Sequence, residues 1–346
     1  MKKRLKMHPI SATALAAADI EALSTLEFNV FQYDMHSDAL LEMIETIFDK
    51  HKVLTTFKIP KDKFRNWLQC VRYNYHAEAL FHNFRHAFNV LQTLHVFLDT
   101  FEAAKLFSEL ELFAMLFAAL CHDLQHPGVN NKFLADTMHD LAFRYNNQSI
   151  LEHHHCATAF AILNSASTRD ITSTLKGDPQ QPSERFAAGA DFRQFRDLAI
   201  SMILSTDVST HKSHTEKLKA MIDGGFKHDD PDHRRQLMCS LVEAADISNE
   251  ARGFEFSNRW APLVQKEFLA QGDRQLELGI PVAAMNDRNK SVLGKEQQGF
   301  IKFLCEPLYE QLIRVVPKME VCLTNLRSNH DSWGATTPKD PTQQDA

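Results

Sequence analysis

An all-α fold is what this sequence predicts, and three observations predict it. Apolar residues recur at the three- and four-residue spacing of a helix, as in Leu40, Leu41, Ile44, Ile47 and Phe48. No stretch of useful length alternates apolar and polar residues as a strand would, and no internal repeat is present. Stretches holding Gly and Pro, 176–191 and 223–232, fall between the periodic segments and read as surface loops.

In chain order, a basic start, Met1-Lys2-Lys3-Arg4, precedes an Ala-rich stretch broken by Thr13 and Asp19, which is not a secretory signal. Ser37 is the expected N-cap of a helix ending at Lys50. Pro60 starts another, with Phe64, Trp67, Leu68 and Val71 on one side. Beyond His86 the period continues through Phe88, Leu91, Leu94 and Leu98, and 101–120 reads as the next helix. Its apolar run, 112–121, is about half a membrane span, hence a core helix. Pro127-Gly128 should break the chain sharply. Residues 131–145 and 150–163 read as two helices, and 192–206 and 234–247 as two more. The polar stretch 286–299 is a candidate mobile flap before an apolar helix at 300–316. Residues 1–327 are expected to form one helical domain, and 328–346, polar and Pro-containing, a frayed tail.

A hydrophobic fraction of 44% suffices for a large core. The formal net charge of −6 argues against broad binding to nucleic acid or membrane surfaces and leaves small-molecule chemistry as the expectation. The 6 Cys are scattered without Cys-x-x-Cys, the pattern of buried thiols in a reducing, cytoplasmic setting.

Two His-rich clusters stand out. His82 and His86 are four apart, so on a helix they would share a face. His122-Asp123 offers nitrogen and oxygen together, a mixture that suits zinc, with the carboxylate able to reach a harder ion such as magnesium. With 18 His in the chain, about one pair at four-residue spacing arises by chance, so spacing alone decides little. The order of the motifs is more specific. Asp246 adds a carboxylate among small and apolar neighbours, Leu241-Val242-Glu243-Ala244-Ala245, where burial demands a partner or a metal.

His82-Asn83-x-x-His86, His122-Asp123-x-x-His126-Pro127-Gly128 and Ala245-Asp246-Ile247-Ser248-Asn249 resemble the signature of the class I cyclic-nucleotide phosphodiesterase catalytic domain, closest to its cGMP-preferring branch and protozoan, kinetoplastid relatives. The resemblance covers roughly 73–317 and implies a compact domain of about sixteen helices. It implies hydrolysis of cAMP, cGMP or both to 5'-nucleoside monophosphates by two metals, a bridging hydroxide and a His general acid. His86, His122, Asp123 and Asp246 would hold Zn2+, and Asp123 would also reach Mg2+ or Mn2+. His82 would protonate the leaving oxygen, while His126, Glu152 and Thr206 would support metal-bound waters. Gln297 would hydrogen-bond the purine and Phe300 stack on it, with Ile247, Asn249, Val264 and Phe268 lining the same pocket. A flanking regulatory domain is a further expectation, the chain reading as an excised catalytic fragment.

Phe81 stands where most members have Tyr, and Gln125 where Asp is usual. Two other readings compete: a His-Asp phosphohydrolase for linear nucleotides, against which Gln297 and Phe300 argue, and a non-catalytic cyclic-nucleotide sensor, against which the intact His82 and ligand set argue.

Overall fold

Two helices, Phe84–Leu98 and Glu109–Cys121, form a hairpin that the other elements wrap. Every residue of the first except Arg85 is buried, as is every residue of the second from Glu111 on. Helices buried all round must be covered on all sides. Pro182–Leu204 lies along Glu109–Cys121, Pro231–Asp246 lies along Phe84–Leu98, and Asp38–Lys50 and Ile150–Leu163 close further sides. The computed structural model describes residues 15–165, 168–176 and 182–336, and among them no strand occurs. No described helix is long and apolar enough to cross a membrane.

Local chemistry fixes the boundaries. Ser37 accepts from Ala39 N at the start of Asp38–Lys50, and Pro60 precedes Lys61–Tyr73. Ser108 and Glu111 form a reciprocal capping box that starts the second hairpin helix at Glu109, not at the expected 101. The main core runs from Leu23 to Trp333, each fully buried Phe or Leu contributing about 1.5–3 kcal/mol. A smaller cluster, including Phe133, Leu134, Ile150 and Leu151, supports the turn after His126. Gly128 makes that turn with φ of 72°, as Pro127-Gly128 led us to expect. Gly272 answers a different need: a Cβ there would lie 1.8 Å from Asn286 O.

Several expectations are corrected. Residues 131–145 form two short helices, Asn131–Asp136 and Asp140–Arg144, because Met138 turns the chain with φ of 51°. Much of the expected loop 176–191 belongs to Pro182–Leu204, with Pro182 at its start, where its missing N–H costs nothing; 177–181 lie outside the described residues. The expected flap shrinks to 287–292, since Leu293–Phe300 is helical. The expected helix at 300–316 opens on a π-turn, Ile301–Cys305, and ends early, at Leu312. Frayed from Ser328 is wrong for residues up to Thr336: Glu320–Thr336 is one helix, with Asn329 and Trp333 buried. Asn329 Nδ2 donates to Glu250 O and Arg252 O, each at 2.8 Å, and Trp333 Nε1 donates to Ser257 Oγ at 2.9 Å and Glu250 Oε2 at 3.0 Å. Two polar side chains in a polar-looking segment satisfy buried groups elsewhere, which composition cannot reveal. Residues 337–346, like the basic start within 1–14, lie outside the described residues.

Candidate active site

The hairpin brings His86 from the start of one helix to His122 at the end of the other, and Pro231–Asp246 delivers Asp246 beside them. His86 Nε2 lies 3.2 Å from His122 Nε2, 2.9 Å from Asp246 Oδ1 and 3.4 Å from Asp123 Oδ2. His122 Nε2 lies 3.1 Å from Asp123 Oδ2 and 3.2 Å from Asp246 Oδ1. Donors about 2.0–2.1 Å from a tetrahedral zinc would sit about 3.3 Å apart, and the edges among His86, His122 and Asp246 match that spacing; Asp123 Oδ2 approaches both His nitrogens but falls outside the set whose donor atoms all lie within 4.8 Å of one another. His122 Nδ1 donates to Ala119 O at 2.9 Å, so Nε2 is the nitrogen that faces the carboxylates. Burial would lower the His122 pKa, but Asp123 and Asp246 push it well above its usual value, so this nitrogen carries a proton that a bound cation would replace. Asp123 Oδ2 is buried without a hydrogen-bond partner, an orphan that a cation would satisfy. Burial opposes the charge on Asp123 and Asp246, yet His122 and His86 hold both carboxyls below their usual range.

His82 is not on the helix. Asn83 caps Phe84–Leu98, its side chain accepting from Arg85 N, so His82 precedes the first turn and the helical-face argument does not apply to it. Glu267, from Phe254–Glu277, positions it: one carboxylate oxygen accepts from Phe81 N at 2.8 Å and His82 N at 3.3 Å, and the other pairs with His82 Nδ1. Burial alone would lower the His82 pKa, but the Glu267 charge and hydrogen bond outweigh it and hold it at about 9. Burial likewise opposes the Glu267 charge, and His82 brings that carboxyl to about 2. His126 stacks on His82 with ring centroids 4.1 Å apart, and its Nδ1 accepts from Gly128 N at 3.1 Å. His82, His126 and Glu267 are close enough to suggest a second metal cluster. His82 Nδ1, His126 Nδ1 and both Glu267 oxygens are already engaged in these hydrogen bonds, so a proton-holding group describes them better.

A pocket of about 240 Å3 opens beside this cluster. All six residues expected around a purine, Gln297, Phe300, Ile247, Asn249, Val264 and Phe268, line it, and so do His82 and Asp246. The profile of the 3'5'-cyclic nucleotide phosphodiesterase family matches residues 81–326. The chain belongs to this family. The Dictyostelium discoideum 3',5'-cyclic-nucleotide phosphodiesterase regA is 30% identical over 91% of this chain and 38% of its own length. The Mus musculus 3',5'-cyclic-AMP phosphodiesterase 4C is 34% identical over 87% of this chain and 43% of its own. The crystal structure of the phosphodiesterase domain of the RhoPDE fusion protein from the choanoflagellate Salpingoeca rosetta matches with a TM-score of 0.81 and 32% identity, covering 91% of this chain and 95% of that one. The chain spans less than half the length of the two curated relatives and nearly all of the solved domain.

In this phosphodiesterase fold a second cavity, about 390 Å3, adjoins the first. It brings His126, Glu152 and Thr206 together with Asp123 and Asp246. Thr206 Oγ1 donates to Ile203 O at 2.8 Å, which leaves only its acceptor capacity for the cavity. Glu152 accepts from Asn131 Nδ2 at 2.9 Å, and burial, then nearby Asp207, pushes its carboxyl up to about 7.

Sequence reasoning missed three contributors. Glu267 is one: it sits beside Phe268 in a helix of mixed polarity, and nothing local marks it. His155 is another. Its Nδ1 donates to Leu124 O at 2.6 Å, so its Nε2 lone pair faces Asp123 Oδ1 across 3.7 Å, two acceptors with space for a water or ion between them. The third is the fixing of Asn249, whose Oδ1 accepts from Asn89 Nδ2 at 3.1 Å while Asn89 Oδ1 accepts from buried Arg252 at 2.5 Å. Asn249 is thereby left with its NH2 as the group free for a ligand. Phe81, lacking the tyrosine hydroxyl, packs 4.6 Å from the His86 ring and 5.6 Å from Trp260.

Proposed function

We propose that this domain hydrolyses 3',5'-cyclic purine nucleotides to 5'-nucleoside monophosphates, water attacking phosphorus while the P–O3' bond breaks. The observation that carries the reading is a single pocket bounded by His82 and Asp246 at one end and by Gln297 and Phe300 at the other. His86, His122, Asp123 and Asp246 would hold zinc, and the cavity of Asp123, His126, Glu152 and Thr206 suits magnesium or manganese. Such ions would supply neutralisation of the phosphate charge and a more acidic attacking water.

The chain's own residues supply the rest. His82, kept protonated by Glu267, gives its proton to the departing 3' oxygen, and the Glu267 carboxylate keeps the ring oriented throughout. The share of the His82 shift due to Asp123 and Asp246 would fall with cations bound, while the Glu267 share persists. Phe300 offers a ring face to the purine, and Gln297 an amide to its edge. The Gln297 side chain makes no hydrogen bond to any described residue, so its amide can turn either way, which supports acceptance of both cAMP and cGMP. The regA and 4C proteins extend well beyond the matched region, which supports a flanking regulatory domain in the full-length protein. Six free thiols, five of them buried, support a reducing, cytoplasmic setting.

The test is a pair of variants. His82→Ala should retain metal by elemental analysis while turnover falls on the order of 10² to 10⁴-fold, and a nitrophenyl phosphodiester, whose leaving group needs no proton, should be spared much of that loss. His86→Ala should lose metal. Equal losses on both substrates, or metal loss from His82→Ala, would overturn the assignment.

A further inference from the structure

On another face of Ile150–Leu163, away from Glu152 and His155, lies a groove of about 680 Å3 that the reaction does not use. We propose that it binds a phosphate-bearing ring compound of the mononucleotide class. Its volume falls within the roughly 300–1,000 Å3 of small-molecule sites. Its floor is Gln125, held at φ of 62°. Gln125 Nε2 donates to Asn74 Oδ1 at 2.9 Å, and its Oε1 accepts from His154 Nε2 at 2.9 Å and Thr158 Oγ1 at 3.4 Å. The amide is thus locked, and it fixes His154 with its Nδ1 toward the Tyr145 hydroxyl, 3.5 Å away.

Charge decides the ligand class. No carboxylate lines the groove. At its edge Arg144 makes no ion pair or hydrogen bond with any described residue, and it adds positive potential at His154, as His139 and His76 do when protonated. An exposed guanidinium without an acidic neighbour is a ready partner for phosphate oxygens. Gln125 matters here because a carboxylate at this position would place a negative charge on the floor, beneath the ligand, and the amide places none. Tyr73, 70% exposed, and Tyr145 add aromatic surface, which favours a planar ring over a bare anion. The site stands on these residues and not on the purine pocket.

Calorimetric titration of the holoenzyme with 5'-AMP tests it. Two classes of site are expected. Arg144→Glu, on an exposed residue, should weaken one of them by about tenfold or more while turnover of cyclic nucleotide is retained. Gln297→Ala should weaken only the other. Gln125→Asp should repeat the Arg144→Glu loss, and inorganic phosphate should bind the Arg144-dependent site more weakly than 5'-AMP does. A single class of site, lost in Gln297→Ala and untouched by Arg144→Glu, would overturn the proposal. So would inorganic phosphate binding as tightly as 5'-AMP, because the groove would then recognise an anion and no ring.

Discussion

At the His-Asp end of the pocket, His86 Nε2, His122 Nε2 and Asp246 Oδ1 lie 2.9–3.2 Å apart, with Asp123 Oδ2 3.1 and 3.4 Å from the two nitrogens, and these residues come from or flank elements braced against the central hairpin. At the base end, Gln297 faces the pocket with an unshared amide among carbon-rich walls. The first arrangement is tightly constrained, because donor atoms this close need a cation or protons between them. The second tolerates several geometries, since a planar ring can shift in an apolar slot and an amide can rotate. On the proposed reading, the His-Asp end is fixed and the base end is left adjustable.

Breaking the fixed end should cost most. Asp246→Ala is expected to lose bound metal and take activity below detection, read by elemental analysis alongside the assay. Unchanged metal content would remove Asp246 from the ligand set. Next comes Glu267→Gln, which keeps the shape but removes the charge that holds His82 at about 9. If His82 gives up its proton as proposed, activity should fall as pH rises through its pKa. A lower pKa should move that alkaline loss toward neutral pH and reduce turnover on the order of tenfold or more. A pH–rate profile with an unmoved alkaline limb would mean that Glu267 does not tune the acid.

The adjustable end should respond more gently. Gln297→Ala is expected to raise KM for both cyclic nucleotides by about tenfold with turnover little changed, since a contact remote from phosphorus contributes similarly to ground and transition states. Unequal effects on cAMP and cGMP would show that the amide prefers one face.

Stability separates the same regions. Helix Glu320–Thr336 packs on Leu293–Phe300, which carries Gln297 and Phe300. Trp333→Ala should cost about 3–5 kcal/mol, read as a fall in Tm, and should weaken base binding before metal binding. The smallest effect is expected from Glu250→Gln. Burial raises this carboxyl to about 7 in the folded protein, against an ordinary value of 4.5. The folded state therefore holds a proton that the unfolded state releases, and stability declines as pH rises between those values. Glu250→Gln should raise Tm above pH 7 and change it little below pH 4.5.

Periodicity in the sequence was enough for an all-helical chain, and Ser37, Pro60 and Pro127-Gly128 marked their boundaries through local capping and turn chemistry. The gathering of His86, His122 and Asp123 was legible in their types and order, and that of Asp246 because a carboxylate among apolar neighbours needs a reason. Glu267 was not legible. It meets His82 across 185 positions of chain, and its neighbours in sequence say nothing of that contact. Trp333 misled for the same reason, its helix looking polar until Glu250 and Ser257 close over the indole N–H. What the sequence alone determined was the helical class, several helix boundaries and the donor types, which depend on residues within a few positions of one another. The partner of His82, the freedom of Gln297 and the buried role of Trp333 were decided only by the tertiary structure, because burial and hydrogen bonding join residues that the chain keeps far apart.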